Sequence, residues 1–317
     1  MEANAISLPP APPVLETNGE NPCRIDITDV AMDTVTLLIC LCGLVGNGAV
    51  LWFLGFRISR NPITTYILNL AVANFTFLLF MVTSVLLYMM ENIFCFSFET
   101  LTYQRPLFLL SLLSYNMGLY LLMAISIERC SSILCPLWYR CHRPQRLSAL
   151  VCVLLWALSI TVIAAVTSLC LLHEDDHCRV ALISMYVLNF LIFAPPMVAS
   201  NVILFIKVQC GSQQRQPKRL YIVIFLTVLL FLIFGVPLSV WNFLLQFGFA
   251  AVPSQAVFLL ACINSSINPF IYFLVGSCRR RCSVVPLQVA FRRLFGEPED
   301  NIDFSRDTTM STLASAY

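Results

Sequence analysis

Six long runs without Asp, Glu, Lys or Arg occupy most of this chain, and short charged segments separate them. The runs are Thr34–Phe56, Asn61–Met90, Pro106–Ile127, Leu147–Leu172, Val180–Ile206 and Leu220–Cys278. Each is long enough to cross a bilayer as one helix, because about 20 apolar residues span its hydrocarbon core. The last run has 59 residues and contains the turn-forming segment Phe247–Ser254, so we divide it into two helices there. The pattern predicts seven transmembrane helices.

The composition is typical of a membrane protein and argues against several functional classes. Of the 317 residues, 59% are hydrophobic and 11% are charged, with a mean hydropathy of +0.82. A soluble domain carries about 25% charged residues, so a soluble enzyme is excluded. The 14 cysteines form no Cys-x-x-Cys pair, which argues against a zinc framework. We predict an all-α membrane protein, a bundle of seven transmembrane helices with no cofactor, no metal and no nucleic-acid partner.

The charged residues predict the orientation. If the N-terminus is extracellular, 16 of the 19 Lys and Arg residues lie on the inner side, and 11 of the 17 acids lie outside. Basic residues are enriched in the cytoplasmic segments of membrane proteins. We therefore expect a multi-pass protein of the plasma membrane with an outer N-terminus.

The ends of the chain complete the predicted organisation. Residues 1–33 form an extracellular tail, 34–276 the bundle, 277–296 an eighth, amphipathic helix, and 297–317 a disordered cytoplasmic tail. The eighth helix alternates basic and apolar residues, a composition that favours the anionic inner leaflet. Cys278 and Cys282 beside the membrane are palmitoylation candidates, and two reduced thiols are the alternative.

Short motifs follow one another in a recognisable order. They are Gly46-Asn47, Asn69–Asn74, Ser126–Cys130, Trp156, Pro237 and Asn268–Tyr272. In this order they resemble rhodopsin-like (class A) G-protein-coupled receptors over nearly the whole chain. The segments Cys42–Asn47, Arg60–Pro62, Tyr115-Asn116, Trp138–Pro144 and Ile271–Ser277 resemble the Mas-related receptor family more closely still.

The resemblance implies roles for a set of switch residues. The Arg129 guanidinium would be restrained at rest by Glu128 and released to contact a heterotrimeric G protein, of the Gq or Gi type. Pro237, and Asn268 with Pro269 and Tyr272, would form bending points in the sixth and seventh helices. Static kinks, and a stop-transfer role for the Glu128-Arg129 pair, are the structural alternatives. A receptor kinase and arrestin would act on the Ser- and Thr-rich tail.

Four departures from the larger family change the expected mechanism. Asn74 stands where Asp is usual, which puts an allosteric sodium site in doubt. Gly235 replaces a Trp at the pocket floor, and Gln104 replaces the Cys of the usual outer disulfide. No acid marks the start of the sixth helix, so Glu128 is the obvious restraint on Arg129. Our hypothesis is a loosely held resting state with basal signalling.

The resemblance also implies a disulfide and a ligand site. As in Mas-related receptors, Cys170 would pair with Cys178, with free thiols as the alternative; a Cys23–Cys95 pair stays open. An extracellular ligand, a cationic peptide or a small molecule, would meet aromatic, polar and acidic side chains. These are Phe108, Ser111, Tyr115, Glu174, Asp175, Asp176, Tyr186 and Trp241. Plain core packing is the alternative for the pocket walls, and Val166 and Leu182 stand where some relatives carry acids.

Two other activities fit the residues less well. His173–His177 matches the H-E-x-x-H pattern of zinc proteases, but it is confined between two cysteines and no further His follows. A seven-helix transporter or channel is the alternative function. Such proteins usually carry ionisable residues at mid-membrane, and the six long runs contain no Asp, Glu, Lys or Arg. The pattern therefore favours a receptor.

Overall fold

The computed structural model describes residues 27–58, 61–94, 100–144, 146–172, 175–210, 218–249, 253–277 and 286–295. Its α-helices are α1 (Ile27–Trp52), α2 (Pro62–Phe94), α3 (Thr100–Leu134), α4 (Pro136–Cys141), α5 (Leu147–Leu172), α6 (Asp175–Leu188), α7 (Ala194–Cys210), α8 (Lys218–Leu230), α9 (Val236–Leu245), α10 (Ser254–Ser277) and α11 (Leu287–Phe295). π-Helical turns follow α1 (Phe53–Arg57), join α6 to α7 (Asn189–Phe193) and join α8 to α9 (Phe231–Gly235). This described part of the chain has no β-strand.

Within the described residues, seven helical segments are long and apolar enough to cross a membrane, which confirms the predicted fold class. In chain order the spans, called first to seventh below, are Ile27–Arg57, Pro62–Met90, Pro106–Leu134, Leu147–Cys170, Asp176–Lys207, Arg219–Leu245 and Ser254–Ser277. The sixth and seventh spans are separated inside the predicted turn. Gly248 there has a φ of +79°, a conformation that suits a residue without a Cβ.

The third span lies at the centre of the bundle and is the most buried of the seven. Met117, Tyr120 and Leu121 on it are completely buried. The outer surface of the bundle is apolar instead, with Val45 75% and Leu191 70% exposed. Apolar surface of this extent suits lipid rather than water.

Two helix bounds differ from the sequence pattern. The first helix begins at Ile27 rather than at Thr34, so Asp29 and Asp33 are helical and Asp33 is buried. Acids in a first turn favour a helix because they face the positive end of its dipole. The third helix continues past Glu128 to Leu134, so a charge did not mark its end either.

The helix α11 lies within the range predicted for the amphipathic helix, and its apolar side packs against the bundle. The Phe291 ring stacks on Phe53 of the first span, with 5.7 Å between centroids. The Phe295 ring meets Tyr272 of the seventh span edge-on at 5.6 Å. Gly276 allows the close approach, because an added Cβ would lie 2.4 Å from a carbonyl oxygen of α11. Cys278 and Cys282 lie outside the described residues.

Asn61 connects the start of the second span to the end of α11. Its side-chain oxygen accepts a hydrogen bond from the Thr64 backbone N–H at 2.9 Å and so caps the helix. Its amide nitrogen donates to the Phe295 carbonyl at 2.8 Å. One side chain thereby supplies a partner at the beginning of one helix and at the end of another.

Candidate functional site

Polar side chains meet around Glu128, near the end of the third span. Its Oε1 accepts a hydrogen bond from the Tyr139 hydroxyl at 2.9 Å and pairs with Arg143 Nη2 at 2.6 Å. The side chains of Arg143 and Glu128 are only 5% and 9% exposed. The Arg143 guanidinium also lies over the Tyr139 ring, 5.2 Å from its centroid. Charged hydrogen bonds of this kind are stronger than neutral ones.

The expected restraint of Arg129 by Glu128 is wrong for this structure. Among the described residues Arg129 has no ion pair, although it is only 7% exposed. Its Nη2 lies 3.5 Å from the Tyr139 hydroxyl, a long contact, and its Nε has no hydrogen-bond partner there. The physical reason is that the carboxylate already has two partners, the Tyr139 hydroxyl and the Arg143 guanidinium. Arg143 reaches the carboxylate from outside the helix instead.

The short helix α4 places Tyr139 and leads to Arg143. Pro136 begins it at a position where its missing N–H costs nothing. Arg143, just beyond its end, donates to the Ser148 hydroxyl at the start of the fourth span. Burial raises the pKa of Tyr139, so the phenol keeps its proton for Glu128. The sequence analysis used this segment only as evidence of resemblance to a family. Nothing in its residue types predicts which side chain turns back to the third span.

The kink at Pro237 in the sixth span is held by Tyr115 of the third. The Tyr115 hydroxyl donates to the Gly235 carbonyl at 2.9 Å and accepts from Ser239 Oγ at 2.8 Å. Its ring stacks on Phe231, with 5.7 Å between centroids. A Cβ on Gly235 would lie 2.9 Å from the Phe231 ring, so the missing side chain makes room for this stack.

The kink at Pro269 in the seventh span is held by the first span. Asn47 Nδ2 donates to the Ser265 carbonyl at 3.0 Å and to the Gly43 carbonyl at 2.9 Å. Ser265 lies four residues before Pro269, whose ring nitrogen cannot donate the usual helical bond. Asn47 therefore supplies the donor that Pro269 lacks. A Cβ on Gly46 would lie 3.1 Å from Pro269, so the two helices are in close contact here.

Asn268 and Asn74 face one small closed cavity between the second, third, sixth and seventh spans. Its volume is about 10 Å³, roughly that of one water molecule. Asn268 Oδ1 and Asn74 Nδ2 are buried and have no hydrogen-bond partner among the described residues. Tyr272, one helical turn further along, is 2% exposed. The predicted seventh-span residues are thus core positions.

A polar network that the sequence analysis missed joins the third and fifth spans. Asn189 Nδ2 donates to Asn116 Oδ1 at 2.9 Å, and the Tyr120 hydroxyl donates to Asn189 Oδ1 at 3.0 Å. The Tyr120 ring stacks on Phe193 at 3.9 Å between centroids. Asn189 and Phe193 are the first and last residues of a π turn, and both contact Tyr120. Hydrophobic periodicity does not reveal a π turn, so the sequence pattern did not predict these contacts.

On the other side of the bundle, a disulfide joins Cys170 at the end of the fourth span to Cys178 at the start of the fifth. The sulfur atoms are 1.99 Å apart. Of the predicted acidic loop, Glu174 and the side chain of Asp175 lie outside the described residues. Asp176 is exposed.

A cavity of about 740 Å³ lies between the fourth and fifth spans below this disulfide. Among the predicted ligand residues with described side chains, only Asp176 lines it. Its walls are otherwise mainly apolar and include Val162, Val166, Leu169, Val180, Ala181, Ser184, Met185 and Leu188. No sequence signal distinguishes such residues from those that face lipid.

The predicted pocket walls on the third, fifth and sixth spans do not line this cavity. Tyr115 and Tyr186 are 7% and 1% exposed, and Tyr115 holds the sixth span. Ser111 Oγ donates to the Phe108 carbonyl within its own helix at 2.7 Å. Trp241 meets Phe258 edge-on at 6.0 Å. Their role in binding stays a prediction.

Known proteins resemble this chain over most of its length. Residues 46–272 match the family described as 7 transmembrane receptor (rhodopsin family). Human proto-oncogene Mas (Homo sapiens) is 38% identical over 88% of this chain and 88% of that protein. Mas-related G-protein coupled receptor member H of Rattus norvegicus is 40% identical over 96% of this chain and 99% of that protein. Member X2 of Hoolock hoolock is 41% identical over 81% and 80%.

Proposed function

Because this chain belongs to the rhodopsin family of seven-transmembrane receptors, and within it to the Mas-related G-protein-coupled receptors, we propose that an extracellular ligand controls the contact of Arg129 with a heterotrimeric G protein. The family consists of receptors, which are not enzymes, and this chain is a multi-pass membrane protein. A ligand and a G protein are the partners that such a receptor has.

The observation that carries this proposal is the state of Arg129. Its guanidinium is 7% exposed, with no ion pair among the described residues and an Nε that lacks a hydrogen-bond partner there. A buried cation without a counterion is costly, so such a group gains free energy from any partner that supplies acceptors. A docking G protein would supply carbonyl acceptors at this end of the bundle.

The switch connecting the two sides uses the sixth and seventh spans. Tyr115 holds the Pro237 kink from the third span, beneath the outer side where a ligand would enter. Asn268, Pro269 and Tyr272 lie on the seventh span, where Asn268 lines the same small cavity as Tyr115. A ligand that moves the third span or the outer part of the sixth would disturb the Tyr115 contact. The equilibrium between the resting and active arrangements at the inner end of the bundle would then shift.

We infer the side of the ligand from the charges. With 16 of 19 basic residues placed inside, the N-terminus and the Cys170–Cys178 disulfide face the extracellular medium. Asp176 at the rim of the 740 Å³ cavity would attract a positive group, and the apolar walls would bury an apolar one. The ligand class that fits both is a cationic peptide or an amphiphilic small molecule.

Other partners follow from the inner side. We propose coupling to a Gq- or Gi-type protein at the plasma membrane. A receptor kinase and arrestin would act on the Ser- and Thr-rich tail. Arg292 and Arg293 of α11 are exposed and would contact anionic lipids. Palmitoylation of Cys278 or Cys282 would add a second anchor.

The test measures inositol phosphate and cyclic AMP in cells that express the wild type, Arg129→Ala, Arg146→Ala or Cys170→Ser at matched surface levels. Signalling above mock cells, basal or with cationic peptides, should disappear in Arg129→Ala and persist in Arg146→Ala, since Arg146 is an exposed inner residue. Cys170→Ser should weaken the peptide response and leave basal signalling. The messenger that changes identifies Gq or Gi. Signalling that survives Arg129→Ala would contradict the proposed coupling role.

A further inference from the structure

We infer that Arg143 is a positioning residue for coupling: it occupies the Glu128 carboxylate and thereby keeps Arg129 available to the G protein. The inference rests on the proposed function and adds to it the residue that controls Arg129. In this arrangement two guanidinium groups compete for one carboxylate, and the outcome sets the basal activity.

The contacts of the two arginines differ in number and quality. Arg143 pairs with Glu128 at 2.6 Å, donates to Ser148 and lies over the Tyr139 ring. Arg129 has one long contact, 3.5 Å to the Tyr139 hydroxyl, in the described part of the bundle. The carboxylate is therefore occupied by the arginine that already has two further partners.

Tyr139 strengthens this choice. Its hydroxyl donates to the same Oε1 atom that Arg143 contacts, at 2.9 Å. The carboxylate oxygen is thus shared between a neutral donor and a charged one, both outside the third span. The Glu128 carboxylate is therefore held by α4 and by the residue that follows its end, while Arg129 reaches only the Tyr139 hydroxyl among the described residues.

Burial makes the competition consequential. The side chains of Arg143 and Glu128 are 5% and 9% exposed, so water screens their attraction little. If Arg143 loses its charge, the buried carboxylate needs a new counterion. Arg129, the next residue along the helix, is the cation available inside this cluster. Its capture by Glu128 would withdraw it from the G protein.

The experiment compares basal dissociation of Gq- and Gi-type heterotrimers in cells, per receptor at the surface. The variants are Arg143→Gln, Arg143→Lys, Glu128→Gln, the double variant Glu128→Gln/Arg143→Gln, and Arg129→Ala as the uncoupled reference. Arg146→Gln is the matched control, because it removes the same charge from an exposed position three residues away. No ligand has to be identified for this comparison.

We expect Arg143→Gln to lower basal dissociation about fivefold or more, the scale of a typical coupling free energy. Arg143→Lys should restore part of it, and Arg146→Gln should match the wild type. Glu128→Gln should signal at least as strongly as the wild type. The double variant should equal Glu128→Gln alone, because without the carboxylate there is nothing for Arg143 to occupy.

Each other result has a defined meaning. Wild-type signalling in Arg143→Gln overturns the inference, and so does an equal loss in the Glu128→Gln background, which would mean direct contact of Arg143 with the G protein. If the wild type shows no more basal dissociation than Arg129→Ala but Glu128→Gln is active, the inference about Arg143 is also overturned. The proposed coupling to a G protein would still stand. If neither wild type nor Glu128→Gln exceeds Arg129→Ala with any G protein, the proposed function fails together with the inference.

Discussion

Pro237 in the sixth span and Pro269 in the seventh both lie inside a membrane span, yet the bundle holds the two positions in different ways. At Pro269 the first span approaches closely, and Asn47 donates to the backbone carbonyl that the proline leaves without its usual partner. A π turn, Phe231–Gly235, comes just before Pro237, and the Tyr115 phenol of the third span bonds to Gly235 and Ser239 on either side of it. At Pro269 the side-chain bond replaces the helical bond that the proline cannot make, and close packing of the first span accompanies it; at Pro237 the third span contributes the bonds of one phenol.

The difference indicates which helix moves. A π turn already contains an irregular hydrogen-bond pattern and is frequent at functional sites. The Phe231 ring fills the space beside Gly235, and the third span bonds to this part of the sixth through the Tyr115 hydroxyl, so a change of bend there costs the bonds of one hydroxyl, about 1 kcal/mol. The seventh span would have to separate from the first before it could do the same. We therefore propose that the sixth span moves on activation and that the seventh span supports it.

The largest expected effect is on the stability of the supporting kink. Asn47→Leu leaves the buried Ser265 carbonyl without a donor and should lower the free energy of unfolding by about 1–3 kcal/mol. The measurement is the melting temperature of the purified receptor in detergent. Asn201→Leu is the control, since its buried Oδ1 has no partner among the described residues. Equal melting temperatures for the two variants would mean that Asn47 does not stabilise the seventh span at Pro269, and would contradict its supporting role.

The second effect is on signalling, at the moving kink. Tyr115→Phe keeps the stack on Phe231 and removes the bonds to Gly235 and Ser239. The loss of about 1 kcal/mol should raise basal inositol phosphate or lower basal cyclic AMP about fivefold, with little change in melting temperature. Thr161→Val, which removes a hydroxyl bonded only within its own helix, should change neither. Unchanged basal signalling in Tyr115→Phe would mean that the phenol does not restrain the sixth span.

The smallest effect concerns the closeness of the first and seventh spans. Gly48→Ala adds a methyl group at an ordinary contact distance, 3.8 Å, and should gain up to about 1 kcal/mol from helix propensity. Gly46→Ala places the methyl group 3.1 Å from Pro269 and should gain less, by a few tenths of a kcal/mol. Melting temperatures of the pair measure this difference. A higher value for Gly46→Ala would show that the helices are not tightly packed there.

Much of the fold could be predicted from the sequence because membrane spans depend on composition more than on contacts. Uncharged runs identified all seven spans, including the division of Leu220–Cys278 near Gly248. The same rule misplaced the first helix, because Asp29 and Asp33 were treated as tail, although Asp29 lies in the first helical turn, where an acid is favourable, and Asp33 is buried in the helix. Charge marks the edge of the bilayer better than the end of a helix.

The candidate site was less predictable, because its decisive contacts come from residues far apart in sequence. The motif around Glu128 and Arg129 was visible, but the partner of Glu128 was not, since Arg143 reaches it only after the turn of α4. Tyr115 was predicted as a pocket wall, and the structure shows it bonded to the sixth span. Residue type identified Glu128 and Tyr115 as candidate functional residues. Their hydrogen-bond and ion-pair partners could be assigned only from the tertiary structure.

The side chain of Asn61 has a consequence for the way the protein is made. Its partner Phe295 lies 234 residues later, and a ribosome adds about 5–20 residues each second. The bond therefore cannot form until at least some ten seconds after Asn61 has been synthesised. Closure of this contact reports that α11 has arrived.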